Sequence, residues 1–342
     1  MNVLITGSLG YIGTEAVDIF QSAGHTVAGI DSGFYEDCQL YPPASKPYKL
    51  YREDIRNARR EIFDGIDSVI HLAALSNDPI GELNPELTYE INHRASVKLA
   101  KLAKEAGVKR FIMTSTASVY GIATEPVSET SKLNPITAYA KSKLMAEEEI
   151  SQLASDSFSP VFLRPATAFG AGARLRTDIV LNDFCATVFS TGKIKVMSDG
   201  SPRRPAVHVR DIGRTLLACA ECPKDLIHNQ IFNVGSNEEN YSVRELAEMV
   251  KAAHGNAQVE FTGEHKDSRS YHVLFDKLHT TLSDYLTFSM TSEKGVAELF
   301  HTLKSGNYSE SDHTAGKFVR LKQLKRLSAE QQIDENLYFV KG

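Results

Sequence analysis

Gly7-Ser8-Leu9-Gly10-Tyr11-Ile12-Gly13 spaces three glycines as GxxGxxG, directly after a short apolar run. In a strand-to-helix turn, Gly7 permits the tight bend, Gly10 lets the backbone approach a pyrophosphate and Gly13 allows close helix packing. The helix N-terminus offers free N–H groups and a positive dipole end to the same anion. A structural Gly-rich turn would explain the glycines alone, but Asp31 follows at the end of the next apolar run. A carboxylate there accepts both ribose hydroxyls of an adenosine and repels a 2′-phosphate, so the pattern predicts NAD rather than NADP. Asp54-Ile55, one turn further on, is expected to hydrogen-bond and pack against adenine, with a helix cap or a solvated acid as the plain alternative.

A second group is Tyr139-Ala140-Lys141-Ser142-Lys143, which puts a phenol and an ammonium four apart and so on one face of a helix. A fixed cation stabilises a phenolate, and the expectation is a Tyr139 pKa lowered toward neutrality, suited to exchanging a proton with a substrate hydroxyl. A surface helix pair is the bland reading of YxxxK. Thr114-Ser115-Thr116 adds weight, because it closes the preceding apolar run and strand C-termini face the ligand crevice in doubly wound folds.

The elements that must hold these groups alternate regularly. Val3–Thr6, Val27–Ile30, Ser68–Leu72, Arg110–Thr114 and Pro160–Leu163 read as short, continuously apolar strands. Helical patterns separate them, over 12–23, 86–106 and 138–153. That alternation predicts a parallel sheet covered on both faces, a doubly wound α/β (Rossmann) domain over 1–165. Beyond it the rhythm is irregular. Helix-like stretches near 178–191, 211–221 and 242–254 and strands at 193–197 and 230–234 predict a smaller α+β substrate domain over 166–342, with parts of 207–235 returning to the first domain.

The chain has 342 residues, is 42% hydrophobic and 24% charged, and carries a net charge of -5. This is the composition of an ordinary globular protein, and its mild acidity argues against a nucleic-acid surface. No apolar run is long enough for a membrane helix, and the opening Met1–Gly7 has no basic n-region or cleavage site, so a cytoplasmic protein is expected. Four cysteines make no disulfide scaffold, and Cys219-Ala220-Glu221-Cys222 has no second pair for zinc. No His/Cys/acid cluster has metal spacing, and His71 and His208 read as core histidines. Phe318, Leu321, Leu324 and Leu327 recur every three residues among Lys and Arg, as in a C-terminal helix docked on its own chain.

In order along the chain, GSLGYIG at 7–13, Asp31, Asp54-Ile55, HLAAL at 71–75, TSTASVYG at 114–121, YAKSK at 139–143, LRPATAFG at 163–170, DGSPRRPAVHVRDI at 199–212 and FNVG at 232–235 resemble the extended short-chain dehydrogenase/reductases. The closer resemblance is to their NAD-dependent nucleotide-sugar epimerase/dehydratase group. The resemblance implies that Tyr139 is the acid/base, that Lys143 binds the nicotinamide ribose and tunes Tyr139, and that Thr116 hydrogen-bonds the reacting sugar oxygen. It implies NAD contacts at Gly7, Gly10, Tyr11, Ile12, Gly13, Asp31, Asp54, Ile55, Leu72, Ala73, Ala74, Tyr139, Lys143 and Pro165. It also implies nucleotide-sugar contacts at Ser76, Thr116, Thr167, Asn182, Arg204, Asp267 and Arg269, with Arg204 on the pyrophosphate and Asp267 near the nucleotide ribose.

Three departures bear on the substrate and the reaction. Thr167 stands where many members have an asparagine, and Glu264 where an arginine is frequent. Ala117 and Ser118 follow Thr116 where the 4,6-dehydratases have Asp-Glu. The expected reaction is therefore an NAD-dependent epimerisation, at C4 of the sugar. A keto-sugar reductase or dehydrogenase is the alternative, and a redox-inactive binding protein of the same fold the more distant one. A homodimer through the helices over 86–106 and 138–153 is expected, because Leu87, Tyr89, Ile91, Val97, Leu99 and Leu102 with Tyr139, Leu144, Ile150 and Leu153 exceed one buried stripe.

Overall fold

The computed structural model describes residues 1–263 and 270–340. Its strands are β1 (Asn2–Thr6), β2 (Thr26–Ile30), β3 (Lys49–Tyr51), β4 (Ser68–His71), β5 (Arg110–Thr114), β6 (Ser159–Pro165), β7 (Thr167–Phe169), β8 (Lys193–Val196), β9 (Arg203–His208), β10 (Gln230–Val234), β11 (Asn240–Ser242) and β12 (Gln258–Phe261). Seven of them form one sheet in the order β10-β6-β5-β4-β1-β2-β3, parallel at every pairing. The strand order reverses between β1 and β4, which is where such sheets open a ligand crevice at their C-terminal edge.

The apolar runs are continuous because both faces of this sheet are covered. Val3 and Ile5 enter a core with Phe20, Ile70, Ile112, Val161 and Phe232, while Leu4 enters the opposite one with Ile30, Val69, Leu99, Phe111 and Phe162. Helix Val209–Glu221 packs on helix Tyr11–Ser22 so closely that a Cβ at Gly213 would sit 2.4 Å from Ile19 Cδ1. With β10 in the main sheet, this segment is part of the first unit. So is the chain's end, for Leu324, Leu327, Ile333 and Leu337 complete the second core. Residues 209–234 and 320–339 both pack against the main sheet and its cores.

The remainder forms a third core, Phe169, Leu175, Leu181, Val196, Leu246, Val250, Leu299 and Phe318. It carries a small sheet β11-β9-β7 and the parallel pair β12-β8. The helical pattern over 86–106 is interrupted. A π-helix over Glu90–Ala95 separates Pro85–Tyr89 from Ser96–Glu105. Of the apolar positions counted toward a partner, Leu87, Ile91, Val97, Leu99 and Ile150 are buried in the chain's own core. Tyr89 and Leu144 remain half-buried and, with Met145 at 39% exposure, line a surface groove. No helix among the described residues is long and apolar enough to cross a membrane.

Candidate active site

A cavity of about 750 Å³ opens at the C-terminal edge of the sheet over the β1/β4 switch point. One wall is the glycine turn. Gly7 adopts φ +72°, and a Cβ on it would lie 2.8 Å from Ala73 N; a Cβ on Gly13 would lie 2.0 Å from the Gly7 carbonyl oxygen. Both positions therefore require glycine. Helix Tyr11–Ser22 has no side-chain cap at Gly10, so its first amides are left for an anion at the cavity wall. Thr6 Oγ1 accepts from Leu72 N at 3.2 Å and Ala73 N at 3.1 Å, which joins the ends of β1 and β4 beneath the crevice.

The Asp31 carboxylate accepts from Leu9 N at 3.0 Å and Gly33 N at 2.8 Å, one amide on each oxygen. A second lone pair on each oxygen remains for a vicinal diol. Burial pushes the Asp31 pKa up, against the pull of these two amides. Asp54 lines the cavity but is also committed elsewhere. It caps the turn Ile55–Asn57 through Arg56 N and pairs with the Arg56 guanidinium at 2.8 Å, the cap alternative that its position allowed. Glycine cradle, uncapped helix and a carboxylate with acceptor capacity to spare together fit a dinucleotide.

At the other end lie Thr116, Tyr139 and Lys143, all on the cavity wall. Thr137 caps helix Ala138–Ser151 through Ala140 N, so Tyr139 sits in its first turn and Lys143 one turn on. Thr116 Oγ1 accepts from Ser118 N at 3.1 Å, and its hydroxyl faces the Tyr139 phenol. Lys143 is 2% exposed, and burial lowers its pKa to about 8 despite Glu147. The expectation of a lowered Tyr139 pKa is corrected here. Burial raises it to about 12, with Asp78 adding to the rise and the Thr116 hydroxyl and Arg176 opposing it. His71 is a core histidine, held between Thr6 Oγ1 at 2.8 Å and Ser96 Oγ at 2.7 Å.

Of the other expected contacts, Tyr11, Ile12, Ile55, Leu72, Ala73, Ala74, Ser76, Pro165, Thr167 and Arg204 line the same cavity. Asn182 does not. It is 1% exposed and holds the backbone of the 170–176 loop, through Gly170 N and the Arg176 carbonyl, instead of facing a ligand. Asp267, Arg269 and Glu264 lie outside the described residues. Sequence reasoning missed Arg176 and Asp178, a bidentate pair (2.9 and 3.2 Å) that reaches Ser76 and Asn77, which line the same cavity as Thr116, Tyr139 and Lys143. It also missed Phe34, Tyr35, Asp78 and Arg320 on the cavity wall. The alternation of Arg174, Arg176 and Asp178 was the signal available for the pair.

The model of the NAD dependent epimerase/dehydratase family matches residues 3–235. A UDP-glucuronate 4-epimerase of Thermodesulfobacterium geofontis (strain OPF15) is 27% identical over 282 residues, covering 77% of this chain and 84% of that protein. A UDP-glucose 4-epimerase of Lactobacillus helveticus is 28% identical over 273 residues, covering 75% and 82%. Among solved structures, the NAD dependent NDP-hexosamine 5,6-dehydratase TunA superposes with a TM-score of 0.79 at 23% identity, over 89% of this chain and 98% of that one. With the family model matching from β1 to the end of β10, the chain belongs to the NAD dependent epimerase/dehydratase family, as an enzyme of the extended short-chain dehydrogenase/reductase type whose cofactor is NAD.

Proposed function

We propose that this enzyme is a nucleotide-sugar 4-epimerase. The observation that carries the reading is the grouping of Thr116, Tyr139 and Lys143 on one cavity wall, with Ala117 and Ser118 in place of an acidic pair. The 4-epimerase names of the two curated relatives support it.

Gly7, Gly10, Gly13, Asp31 and the Leu72–Ala74 backbone would hold NAD, which when bound would supply reversible hydride acceptance at the sugar carbon. Tyr139 Oη would take the proton from the sugar O4 as C4 is oxidised and give it back as C4 is reduced from the opposite face, which requires the bound cofactor and Lys143 to draw its pKa down from the value that burial alone sets. Thr116 Oγ1 donates a hydrogen bond to the same oxygen and fixes its position. Lys143 contributes a charge within one helical turn of the phenol. Arg204 and Thr167 take the substrate's diphosphate, and Ser76 and Ser118 orient the hexose hydroxyls. The assembly unit is a homodimer through Tyr89, Leu144 and Met145.

Incubation with UDP-glucose or UDP-glucuronate, followed by proton NMR, tests this reading. The expected product is the C4 epimer, at unchanged mass and without net formation of NADH. Stoichiometric NADH would favour a dehydrogenase instead, and loss of water a dehydratase.

A further inference from the structure

One buried charge is not balanced by the residues around it. Arg320, the first residue of helix Arg320–Ala329, is 2% exposed and lines the cofactor cavity. Its Nη2 donates to the Arg174 carbonyl at 2.8 Å, and the guanidinium lies 4.5 Å from the Tyr35 ring centroid. Its Nη1 is buried and has no hydrogen-bond partner. Among the described residues no carboxylate forms an ion pair with it. Asp178, the nearby acid, is taken by the Arg176 guanidinium and by Asn77, and meets only the backbone N–H of Arg320 at 3.3 Å. The other charged or titratable groups around it are Arg176, Tyr35 and Cys38. Asp178 attracts the guanidinium from a distance, but a buried guanidinium with no anion bonded to it is strongly unfavourable, so the arrangement calls for one. The same cavity presents the uncapped helix N-terminus at Gly10–Ile12, which attracts an anion too.

We propose that Arg320 is the second half of the cofactor's diphosphate cradle, and that the C-terminal segment 320–339 is a clamp that delivers it. The proposal rests on the reading of this cavity as the NAD site. The segment is pinned to both loops that flank the adenosine half. Gln323 Nε2 donates to the Phe34 carbonyl at 3.1 Å, Arg326 pairs with Asp37 at 2.7 Å, and Phe339 stacks on Phe34 with centroids 5.5 Å apart. The Asn336 carbonyl accepts from Arg56 at 2.9 Å, and the Tyr338 ring centroid lies 3.8 Å from the same guanidinium, which in turn holds Asp54. Leu324, Leu327, Ile333 and Leu337 anchor the whole segment in the core beneath. The clamp closes on phosphate through one charge, and its seat is shared with the ribose and adenine loops.

The test is calorimetric titration of the full chain, Arg320→Gln and Arg320→Lys with adenosine, ADP and NADH. A charge-assisted contact to phosphate predicts that Arg320→Gln loses about ten- to hundred-fold in affinity for ADP and NADH. Adenosine affinity should be unchanged, and Arg320→Lys should retain most of the ADP affinity. Equal losses for adenosine and ADP would mean that Arg320 only shapes the site, and unchanged ADP affinity would mean that it meets no phosphate; either overturns the proposal. Failure of the unaltered chain to bind NADH or ADP overturns the cofactor reading itself, a result distinct from failure of the clamp. Where the Gln variant does not fold, 15N-arginine NMR of the unaltered chain decides. A side-chain signal that disappears in Arg320→Lys must shift with ADP and not with adenosine, and its silence toward ADP overturns the proposal.

Discussion

Tyr11, the first residue of the helix behind the glycine turn, donates its hydroxyl to the Gly170 carbonyl at 2.6 Å across 159 residues of chain. A Cβ on Gly172 would lie 3.0 Å from the Tyr11 ring, so the segment that follows β7 passes directly over the N-terminus of the cofactor helix. The glycine turn and the 170–176 segment are thereby tied together, with Asn182 bonding both Gly170 and the Tyr11 hydroxyl, at 3.3 Å in each case. Motion of the substrate segment and of the cofactor turn should therefore be coupled.

Tyr139→Phe removes the proton-transfer group and little else. Turnover should fall by about 10²–10⁴, the usual worth of a general acid–base group, while NADH affinity stays near that of the unaltered enzyme. Steady-state kinetics with the C4-epimerised sugar nucleotide, beside a fluorescence titration with NADH, measures both. Retained turnover would show that another group moves the proton.

Lys143→Met should stabilise the cofactor-free protein at pH 7 while impairing turnover. The Lys143 pKa is about 8 in the folded chain, below its ordinary value of 10.5. Between pH 8 and 10.5 the unfolded chain therefore binds a proton that the folded chain does not. Folding stability of the unaltered protein rises with pH through that window, and below pH 8 it carries the full cost of a buried ammonium. The Met variant should gain on the order of 2–3 kcal/mol below pH 8, an advantage that fades toward pH 10.5. Urea unfolding at pH 7 and pH 10 compares the two. A Met variant less stable at both would mean that Lys143 is stabilised by a contact that its burial conceals.

The features legible in the sequence were the local ones. A glycine turn after the first apolar run and a Tyr and Lys four apart on a helix owe their geometry to neighbours in sequence, and the cavity gathers them as the spacing implies. What could not be read depended on distant packing. Arg320 was one basic residue in a docked helix until residues 174 and 35 met it. Asn182 was expected at the nucleotide sugar only through the family resemblance, and its side chain bonds the 170–176 backbone, a long-range contact that no local pattern announces. The Tyr139 pKa was misjudged because charge spacing is visible along a chain and burial is not.

Asp31 should make the enzyme discriminate against NADPH. It lines the cavity and each of its oxygens holds one backbone amide, so a 2′-phosphate there would meet a buried carboxylate. NADH should bind at least roughly tenfold more tightly than NADPH, and Asp31→Asn should narrow the gap. Fluorescence titration with both reduced cofactors decides it, and tighter binding of NADPH would sink the assignment.

The homodimer expectation rests on Tyr89, Leu144 and Met145, since most of the apolar surplus on these helices turned inward. Light scattering at micromolar concentration should give twice the mass of the chain, and Met145→Glu should shift the population to monomer. A monomeric mass for the unaltered chain removes the claim.

Dehydration and decarboxylation should both be absent. Elimination of water across C5–C6 requires a base for the C5 proton and an acid for the departing hydroxyl, both close to the reacting trio. The residues after Thr116 fold into the turn Ala117–Tyr120, which presents the Ser118 hydroxyl to the cavity while the Ala117 methyl is buried. Neither side chain takes a carbon-bound proton. Glu125 is exposed, and Glu129 accepts from Asn233 N at 2.8 Å, which holds it at β10. Three carboxyls that line the cavity are engaged by neighbours. Asp78 accepts from Thr137 Oγ1 at 2.6 Å, Asp178 is held by Arg176 and Asn77, and Asp183 accepts from Thr187 Oγ1 at 3.4 Å. Asp183 has the longest of these contacts, and burial raises its pKa to about 6, so it is the carboxyl best able to act as an acid near neutrality. Mass spectrometry of a panel of nucleotide hexoses and hexuronates incubated with the enzyme and NAD should find products of unchanged mass. A product lighter by one water that disappears in Asp183→Asn would reassign that carboxyl to the reaction and overturn the epimerase reading.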